Sequence, residues 1–150
     1  MKALLQRVTG ASVSVGGEVV GRIGGGLVVF IGVVSRDTAE DARYLAQRVV
    51  NLRIFSDDVG KFNLSALDIG GELLVVSQFT LLADTRKGRR PSFEDAAPQD
   101  QAESLVDFFV TSMRKTGLKV EAGQFRQHML VEIHNDGPVT VSLDSKQKLA

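Results

Sequence analysis

The chain contains no cysteine, so disulfide bonds and catalysis by a thiolate are excluded. It has only two histidines, His128 and His134, and this scarcity argues against a zinc site, so we expect no metal and no cofactor. No apolar run approaches the roughly 18 residues that a membrane-spanning helix requires. The first residues also lack the apolar segment of a signal peptide. These absences predict a cytoplasmic protein with no membrane partner.

The chain also has no net charge, because 18 basic residues are balanced by 18 acidic ones. Such a balance excludes a uniformly basic nucleic-acid coat, so any contact with RNA must depend on a local patch. The hydrophobic content of 43% is that of a globular protein and not of a disordered one. The length of 150 residues predicts a single domain over residues 1–150.

Strand-like segments dominate the chain, and a two-glycine turn at 16–17 predicts a hairpin early in it. The predicted strands are 2–10, 12–15, 18–20, 27–34, 53–55, 72–79, 119–120, 129–134 and 139–143. The run 27–34 is apolar apart from Gly32, as a strand buried on both faces would be, and 72–79 is predicted to be a second buried strand. The glycine run 24–26 leads into a strand and is not followed by Gly-Lys-Ser/Thr, which argues against a phosphate-binding P-loop. Residues 145–150 are expected to form a frayed tail.

Two amphipathic segments are inserted between the strands. The first predicted helix starts near Asp37, which can cap it while Glu40 reaches back, and it ends near Leu52. The second starts at Pro98 and stops before Gly117. Because most connections are turns, this order favours an α+β fold with mostly antiparallel, barrel-like or layered sheets and two main helices.

The segment Ser77-Gln78-Phe79-Thr80-Leu81 lies where a predicted buried strand gives way to a loop. Polar residues at such a strand end can line a pocket, although they can equally satisfy strand-end hydrogen bonds. Thr80 carries a potential nucleophile, but His134 is the only candidate base within reach, and it is expected to be a strand residue. We therefore favour a role in which the Thr80 hydroxyl and nearby backbone N–H groups position a substrate and stabilise an oxyanion.

The segment Asn135-Asp136-Gly137-Pro138-Val139-Thr140 separates two strand-like runs. Gly137 has no side chain, and Pro138 has no N–H and a fixed φ, so the pair can form a rigid wedge of bare carbonyls against the Cα of a ligand. An X-Pro bond can also be cis at a cost of about 0.5–1 kcal/mol. The alternative is an ordinary turn that closes a loop.

Four basic residues, Arg86, Lys87, Arg89 and Arg90, fall within one long loop. In a chain without net charge, their local field can hold phosphates, or the loop can simply be solvated. Taken alone, the single strand arginine Arg7 indicates little.

Together, the segments 77–81 and 135–140 resemble the two signature motifs of the D-aminoacyl-tRNA deacylases, the D-tyrosyl-tRNA deacylase family, in the expected order and at about the expected separation. The resemblance extends to 1–8, 63–65 and 87–93, and thus covers nearly the whole chain up to about residue 145. One departure is visible between Phe125 and Met129. This chain has Arg126-Gln127-His128 there, where the family usually carries small residues such as Gly-Ala, so we expect an altered pocket rim.

The resemblance implies a homodimer that hydrolyses the ester bond between a D-amino acid and the 3′ adenosine of tRNA, releasing free D-amino acid and tRNA. No DNA partner is expected. The implied Gly-Pro peptide is cis, enters the pocket of the partner subunit and rejects L-amino acids. Since glycine is achiral, glycyl-tRNA mischarged on tRNA-Ala is an implied second substrate.

The resemblance also implies roles for individual residues. The catalytic group is Ser77, Gln78, Phe79 and Thr80; the substrate and chirality group is Arg7, Phe125, Met129, Asn135, Gly137, Pro138 and Thr140; the tRNA-binding group is Arg86, Lys87, Arg89 and Arg90. Read from the residues alone, Phe125 and Met129 would be assigned to the core. The implied mechanism uses either Thr80 as nucleophile or the 2′-OH of the tRNA to assist a water, and the lack of an evident base favours the second.

Two other classes of function remain open from the sequence. One is a non-catalytic RNA-binding module that uses the basic loop 86–90 and the same pocket to hold a charged 3′ end. The other is a structural oligomerisation domain in which Gly137-Pro138 is only a turn. Turnover of a D-aminoacyl-tRNA separates the first from an enzyme, and the absence of RNA binding would favour the second.

Overall fold

A computed structural model describes residues 1–148. Its elements, in chain order, are β1 (Lys2–Val15), β2 (Glu18–Ile23), β3 (Gly26–Gly32), α1 (Ala39–Asn51), β4 (Phe55–Ser56), β5 (Phe62–Leu64), α2 (Ala66–Ile69), β6 (Glu72–Ser77), α3 (Gln99–Arg114), β7 (Val120–Ala122) and β8 (Leu130–Asp144), with 3₁₀ turns at Phe79–Leu82 and Ser145–Gln147. The predicted two-glycine hairpin is confirmed, because β1 and β2 pair across it.

The main sheet has six strands in the order β2-β1-β3-β6-β7, with β8 paired to β1. β1 is antiparallel to β2, β3 and β8, whereas β3–β6 and β6–β7 are parallel. β2 and β7 approach each other so closely that a Cβ on Gly21 would lie 3.3 Å from the carbonyl oxygen of Ala122. The sheet therefore nearly closes on itself, which confirms the α+β, mostly antiparallel, barrel-like prediction.

The central strands β3 and β6 are buried on both faces, as their continuous apolar sequences predicted. One face packs against α1 and α3, and the other faces the interior of the nearly closed sheet. The helix-side core includes Leu27, Val29, Ile31, Leu45, Val49, Leu73, Val75, Phe109 and Met113. The interior core comprises Val8, Ala11, Val13, Ile23, Val28, Leu74 and Val76. Two cores on either side of the same strands hold the ends of β3 and β6 rigidly.

The predicted cap of α1 is wrong by one residue. The N-cap is Thr38, and its N–H donates to the carboxylate of Asp41 at 2.9 Å. Asp37 instead turns inward, where it accepts from the Met1 ammonium at 2.6 Å and from the Val34 N–H at 2.7 Å. A carboxylate needed by two buried donors is not available to the helix.

The expected frayed tail is also wrong for residues 145–148. Ser145 is buried, donates its N–H to the Met1 carbonyl at 2.9 Å and accepts from the Met1 ammonium at 2.8 Å. The Lys148 ammonium lies 5.0 Å from the ring centroid of Tyr44. These contacts with residues far away in the sequence hold the segment in place, although its own sequence favours no regular structure. The rest of the predicted tail, residues 149–150, lies outside the described residues.

The last two predicted strands form one strand, β8, and the segment between them does not reverse the chain. Gln6 pairs with Thr140 and Val8 with Asn135, so residues 136–139 stand opposite Arg7 alone. The four residues are forced out of the strand because both arms of β8 continue along β1. The Gly137-Pro138 peptide is cis. The predicted turn is therefore a projection from a strand and not a loop-closing turn.

Candidate active site

A cleft of about 530 Å³ opens where β3 and β6 end and α3 begins. Its lining combines apolar strand residues with polar groups, as is usual for small-molecule sites. The lining residues are Ile31, Val33, Val76, Ser77, Gln78, Phe79, Ala96, Ala97, Gln99, Ala102, Phe125, Arg126, Gln127, His128, Met129 and Val131. Five of the predicted site residues are thus brought together: Ser77, Gln78, Phe79, Phe125 and Met129.

The end of β6 positions the first predicted motif. After Ser77 the chain leaves the strand, and the Gln78 N–H donates to the Ile31 carbonyl at 2.7 Å, which ties the exit to β3. The Gln78 side-chain amide donates to the hydroxyl oxygen of Thr80. Thr80 is exposed and sits in the 3₁₀ turn, which begins at Phe79. Within residues 1–148, the N–H groups of Phe79 and Thr80 donate to no acceptor, so they remain available to a ligand.

The two histidines lie in different places relative to the cleft. His134 lies on β8 opposite Gly10 and does not line the cleft, whereas His128 does. The sequence expectation that Arg126-Gln127-His128 alters the pocket rim agrees with this position. The family resemblance implied that Phe125 and Met129 meet the substrate, but the residues alone did not show that this segment reaches the same cleft as Ser77.

The basic loop is attached to the cleft through an aromatic pair. Phe79 is 57% exposed, and its ring meets that of Phe93 edge to face with centroids 5.0 Å apart. The base of the loop is closed by two backbone hydrogen bonds between Asp84 and Ser92, at 2.8 and 2.9 Å. The cations between these residues are therefore held beside the predicted motif.

Within the loop, the four cations are not equivalent. The Arg86 guanidinium binds the Asp84 carboxylate at 2.7 and 2.9 Å and lowers the pKa of Asp84 to about 2. Lys87, Arg89 and Arg90 make no ion pair with any residue in 1–148, and all three are exposed. Arg86 thus shapes the loop, while the other three leave their charges open to solvent.

The second predicted motif is built around Arg7. Its Nε donates to the Asp136 carbonyl at 3.1 Å and its Nη1 to the Ile54 carbonyl at 2.9 Å. The guanidinium lies 5.3 Å from the ring centroid of Phe62, and the Arg7 side chain is only 13% exposed. Arg7 therefore clamps the projection 136–139 from below, a role that neither its position nor its type revealed in the sequence. Phe62 was missed as well.

Asn135 and Thr140 brace the two ends of the projection. The Asn135 amide donates to the Thr140 hydroxyl at 3.1 Å, and its oxygen accepts from the Val139 N–H at 3.0 Å. Gln6 also donates to the Thr140 hydroxyl, at 3.3 Å. Gly137 and Pro138 are both exposed at the tip.

The two predicted motifs thus lie at separate places in one chain. None of Arg7, Asn135, Gly137, Pro138 and Thr140 lines the cleft that contains the first motif. Residues 1–148 contain no cluster of three or more histidine, aspartate or glutamate side chains that could hold a metal ion. In the same range, no helix has the length and apolar character needed to cross a membrane.

Two solved structures superimpose closely on this chain. Among solved structures, the c-Myc DNA Unwinding Element Binding Protein superimposes with a TM-score of 0.90 at 43% identity, covering 96% of this chain and 98% of that one. A probable eukaryotic D-amino acid tRNA deacylase superimposes with a TM-score of 0.85 at 21% identity, covering 95% and 97%, which supports the fold alone.

Curated relatives match at the level of sequence. A D-aminoacyl-tRNA deacylase of Dehalococcoides mccartyi is 58% identical over 149 residues, covering 99% of this chain and 97% of that protein. One of Thermosipho africanus is 55% identical over 147 residues, covering 98% and 99%. A model of the D-Tyr-tRNA(Tyr) deacylase family matches residues 4–144. Because these matches span nearly the whole chain, this protein belongs to the D-Tyr-tRNA(Tyr) deacylase family.

Proposed function

We propose that this protein hydrolyses the ester bond of D-aminoacyl-tRNA and releases the free D-amino acid and tRNA in the cytoplasm. The observation that carries the proposal is the full-length match to relatives named D-aminoacyl-tRNA deacylase. The cleft at the first motif supports it, because its volume and the neighbouring Phe79 and Thr80 N–H groups, which have no acceptor within residues 1–148, suit a small ester. The test is deacylation of matched D- and L-aminoacyl-tRNA by the purified protein. Turnover of the D-ester alone is expected, and release from neither substrate would overturn the proposal.

The cleft offers the groups that ester hydrolysis requires. Water adds to the ester carbonyl carbon, and the N–H groups of Phe79 and Thr80 stabilise the negative charge that develops on the carbonyl oxygen. The bond to the 3′ oxygen then breaks, and that oxygen takes a proton as the tRNA leaves. Gln78 holds the Thr80 hydroxyl as an acceptor, which suits an orienting group better than a nucleophile. Assistance to the water comes from the 2′-OH of the substrate.

Thr80→Ala should lower kcat by about tenfold, which corresponds to about 1.4 kcal/mol, without abolishing activity. The hydroxyl orients the substrate and its loss leaves the backbone donors in place. Thr80→Ser keeps the hydroxyl and should retain most of the activity, so single-turnover rates of the two variants separate the hydroxyl from the methyl group. Trapping a covalent aminoacyl-Thr80 species by mass spectrometry would instead identify Thr80 as the nucleophile.

Chirality is read by the projection 136–139, acting as a wedge. A side-chain pocket gains only about 1–3 kcal/mol of discrimination per methylene, so an enzyme that accepts many D-residues has to read the Cα instead. Gly137 has no side chain and Pro138 has no backbone N–H, so the pair presents mainly backbone carbonyls to the Cα of the substrate. An L-residue directs its side chain into these atoms and is excluded. Glycine has no such side chain, so glycyl-tRNA mischarged on tRNA-Ala is a second substrate.

The wedge acts in the cleft of a second subunit. Within the chain the wedge and the cleft are separate, and a symmetric dimer can join each wedge to the other cleft. β8 is 15 residues long, has no buried residue and, within residues 1–148, pairs only with β1. A long open edge of this kind favours pairing with another chain.

The protein should therefore sediment as a dimer at micromolar concentration. Analytical ultracentrifugation across a dilution series, run beside deacylation assays at the same concentrations, tests this prediction. Activity per chain should fall as the dimer dissociates. A monomer with full activity would refute the shared site.

The basic loop binds the phosphates of the tRNA acceptor end. Replacing both Arg89 and Arg90 with alanine should raise KM and reduce the slope of log affinity against log salt by about two, because roughly one counterion is released per phosphate contact. The preference for D- over L-esters should be unchanged. A matched variant, Arg48→Ala with Lys115→Ala, removes two exposed cations from the helical side and should leave the slope unaltered. Equal slopes in both double variants would mean that the loop is merely solvated.

A further inference from the structure

Arg126 has an unusual backbone conformation at the rim of the cleft. It occupies the third position of a turn in which the Gln127 N–H donates to the Gln124 carbonyl at 3.4 Å. Its φ is +66°, and no other non-glycine residue in 1–148 has a positive φ. Residues other than glycine rarely adopt a positive φ, so contacts with neighbouring residues have to stabilise this conformation.

The contacts of Arg126 show what holds it. Its guanidinium donates to the Asp100 carboxylate, lies 3.8 Å from Glu103 Oε2, and sits 6.0 Å from the ring centroid of Phe125. Asp100 and Glu103 both belong to the first turns of α3, which begins at Gln99. The side chain thus runs from the turn to a different element of the fold.

These two elements are facing walls of one cleft. Gln99 and Ala102 line it from α3, and residues 125–129 line it from the turn and the segment that follows. The pairs of Arg126 with Asp100 and Glu103 therefore span from wall to wall. Met129 packs closely behind the turn, since a Cβ on Gly123 would lie 2.6 Å from its sulfur.

We propose that Arg126 is a positioning residue whose ion pairs with Asp100 and Glu103 clasp the turn 124–127 to α3 and set the width of the substrate cleft. This proposal rests on the proposed function, since it assigns the cleft to the 3′ end of the substrate. The clasp holds Phe125 and Met129 where the substrate meets them. Within residues 1–148, no hydrogen bond or ion pair joins the clasp to Ser77–Leu81, so we expect it to affect binding more than the chemical step.

The clasp is exposed, and this gives it a second property. The Asp100 side chain is 95% exposed and that of Arg126 44% exposed, so salt screens their attraction. The KM of the wild-type protein should contain a salt-dependent part that comes from the clasp and not from phosphate contacts. That part should disappear when the clasp is removed.

Two variants remove the clasp from opposite ends. Arg126→Gly removes the guanidinium, and glycine adopts a φ of +66° freely, so the turn itself is preserved. Asp100→Asn with Glu103→Gln removes the carboxylates and leaves Arg126 in place. Each variant should raise KM for D-aminoacyl-tRNA three- to tenfold with kcat within twofold of wild type. Combining them should raise KM no further, because both remove the same interaction.

Hydrogen exchange gives a readout that does not depend on activity. Both variants should exchange the amides of 124–129 severalfold faster than wild type, while exchange in the strands of the main sheet stays unchanged. If Arg126→Gly raises KM and the carboxylate variant does not, Arg126 contacts the substrate directly and the clasp is refuted. Wild-type KM and exchange in both variants would refute it as well. If the wild-type protein hydrolyses no D-aminoacyl-tRNA, the proposed function fails, while exchange still decides whether the clasp holds the turn.

Discussion

Gly137→Ala should lower the rate of D-aminoacyl-tRNA hydrolysis by tenfold or more while the protein stays folded, each factor of ten being about 1.4 kcal/mol. Gly137 has a φ of +129°, which residues with a side chain rarely adopt. A Cβ there would lie 2.8 Å from Val139 Cγ2 and 3.0 Å from Arg7 Nη2. Because Arg7 is held by the Ile54 carbonyl, the projection has to give way instead.

The displacement should damage the wedge and not the core. The tip of the projection is exposed, so its movement removes little buried apolar surface. Deacylation of D- and L-esters should be measured together with the thermal midpoint and the sedimentation coefficient. We expect a lower D-ester rate, a small change in the thermal midpoint and an unchanged sedimentation coefficient.

Gly70→Ala is the matched control. Gly70 also has a positive φ, +63°, but a Cβ there would meet nothing within 4 Å. Its substitution measures the cost of the backbone conformation alone, and activity should remain near wild type. Equal activity in both variants, with both folded, would mean that Gly137-Pro138 is only a structural projection and that the chirality filter lies elsewhere.

Gly26→Ala should cause the largest loss of stability, at least about 3 kcal/mol, because it forces an overlap between two backbones. Gly26 pairs with Glu72 in the parallel β3–β6 ladder. A Cβ on Gly26 would overlap the Glu72 carbonyl oxygen and lie 2.6 Å from the Glu72 nitrogen. Backbone atoms of a buried ladder cannot rotate away as a side chain can, so the central pairing has to open.

The neighbouring glycine supplies the control. A Cβ on Gly25 would have its nearest neighbour, the Val8 carbonyl oxygen, at 4.0 Å. Gly25→Ala should therefore change stability by less than about 1 kcal/mol. Urea unfolding followed by far-ultraviolet circular dichroism measures both, since the chain has no tryptophan to report unfolding. Similar midpoints for the two variants would show that the β3–β6 ladder tolerates the added atom.

The glycine run 24–26 shows how far a local pattern can be interpreted. The sequence argued against a phosphate loop there, because the run leads into a strand and lacks the Gly-Lys-Ser/Thr continuation. It did not show why glycine is required. The reason is the close approach of Glu72, whose position depends on how β6 docks beside β3. When glycine is required because a distant part of the backbone comes close, the residues next to it in the sequence do not reveal the requirement.

The strands, the two main helices and the two motifs were readable from the chain because each depends on neighbours within a few residues. Apolar runs marked β3 and β6 as buried on both faces, and amphipathic spacing marked α1 and α3. The family resemblance likewise needed only the order of residues in the motifs. Patterns that span a few residues predict structure well, because the side-chain period and the backbone preferences of a helix or strand act within that range.

Only the tertiary structure decided which distant groups meet. It turned Asp37 from a helix cap into the partner of the Met1 ammonium, and it placed His128 rather than His134 in the cleft. It also set Arg7 beneath a projection that lies 129 positions further along the chain. These contacts arise from strand register and from the closure of the sheet. The register between two strands is set by many weak pairings along their whole length. The type of a single residue therefore does not reveal which distant residue it will contact.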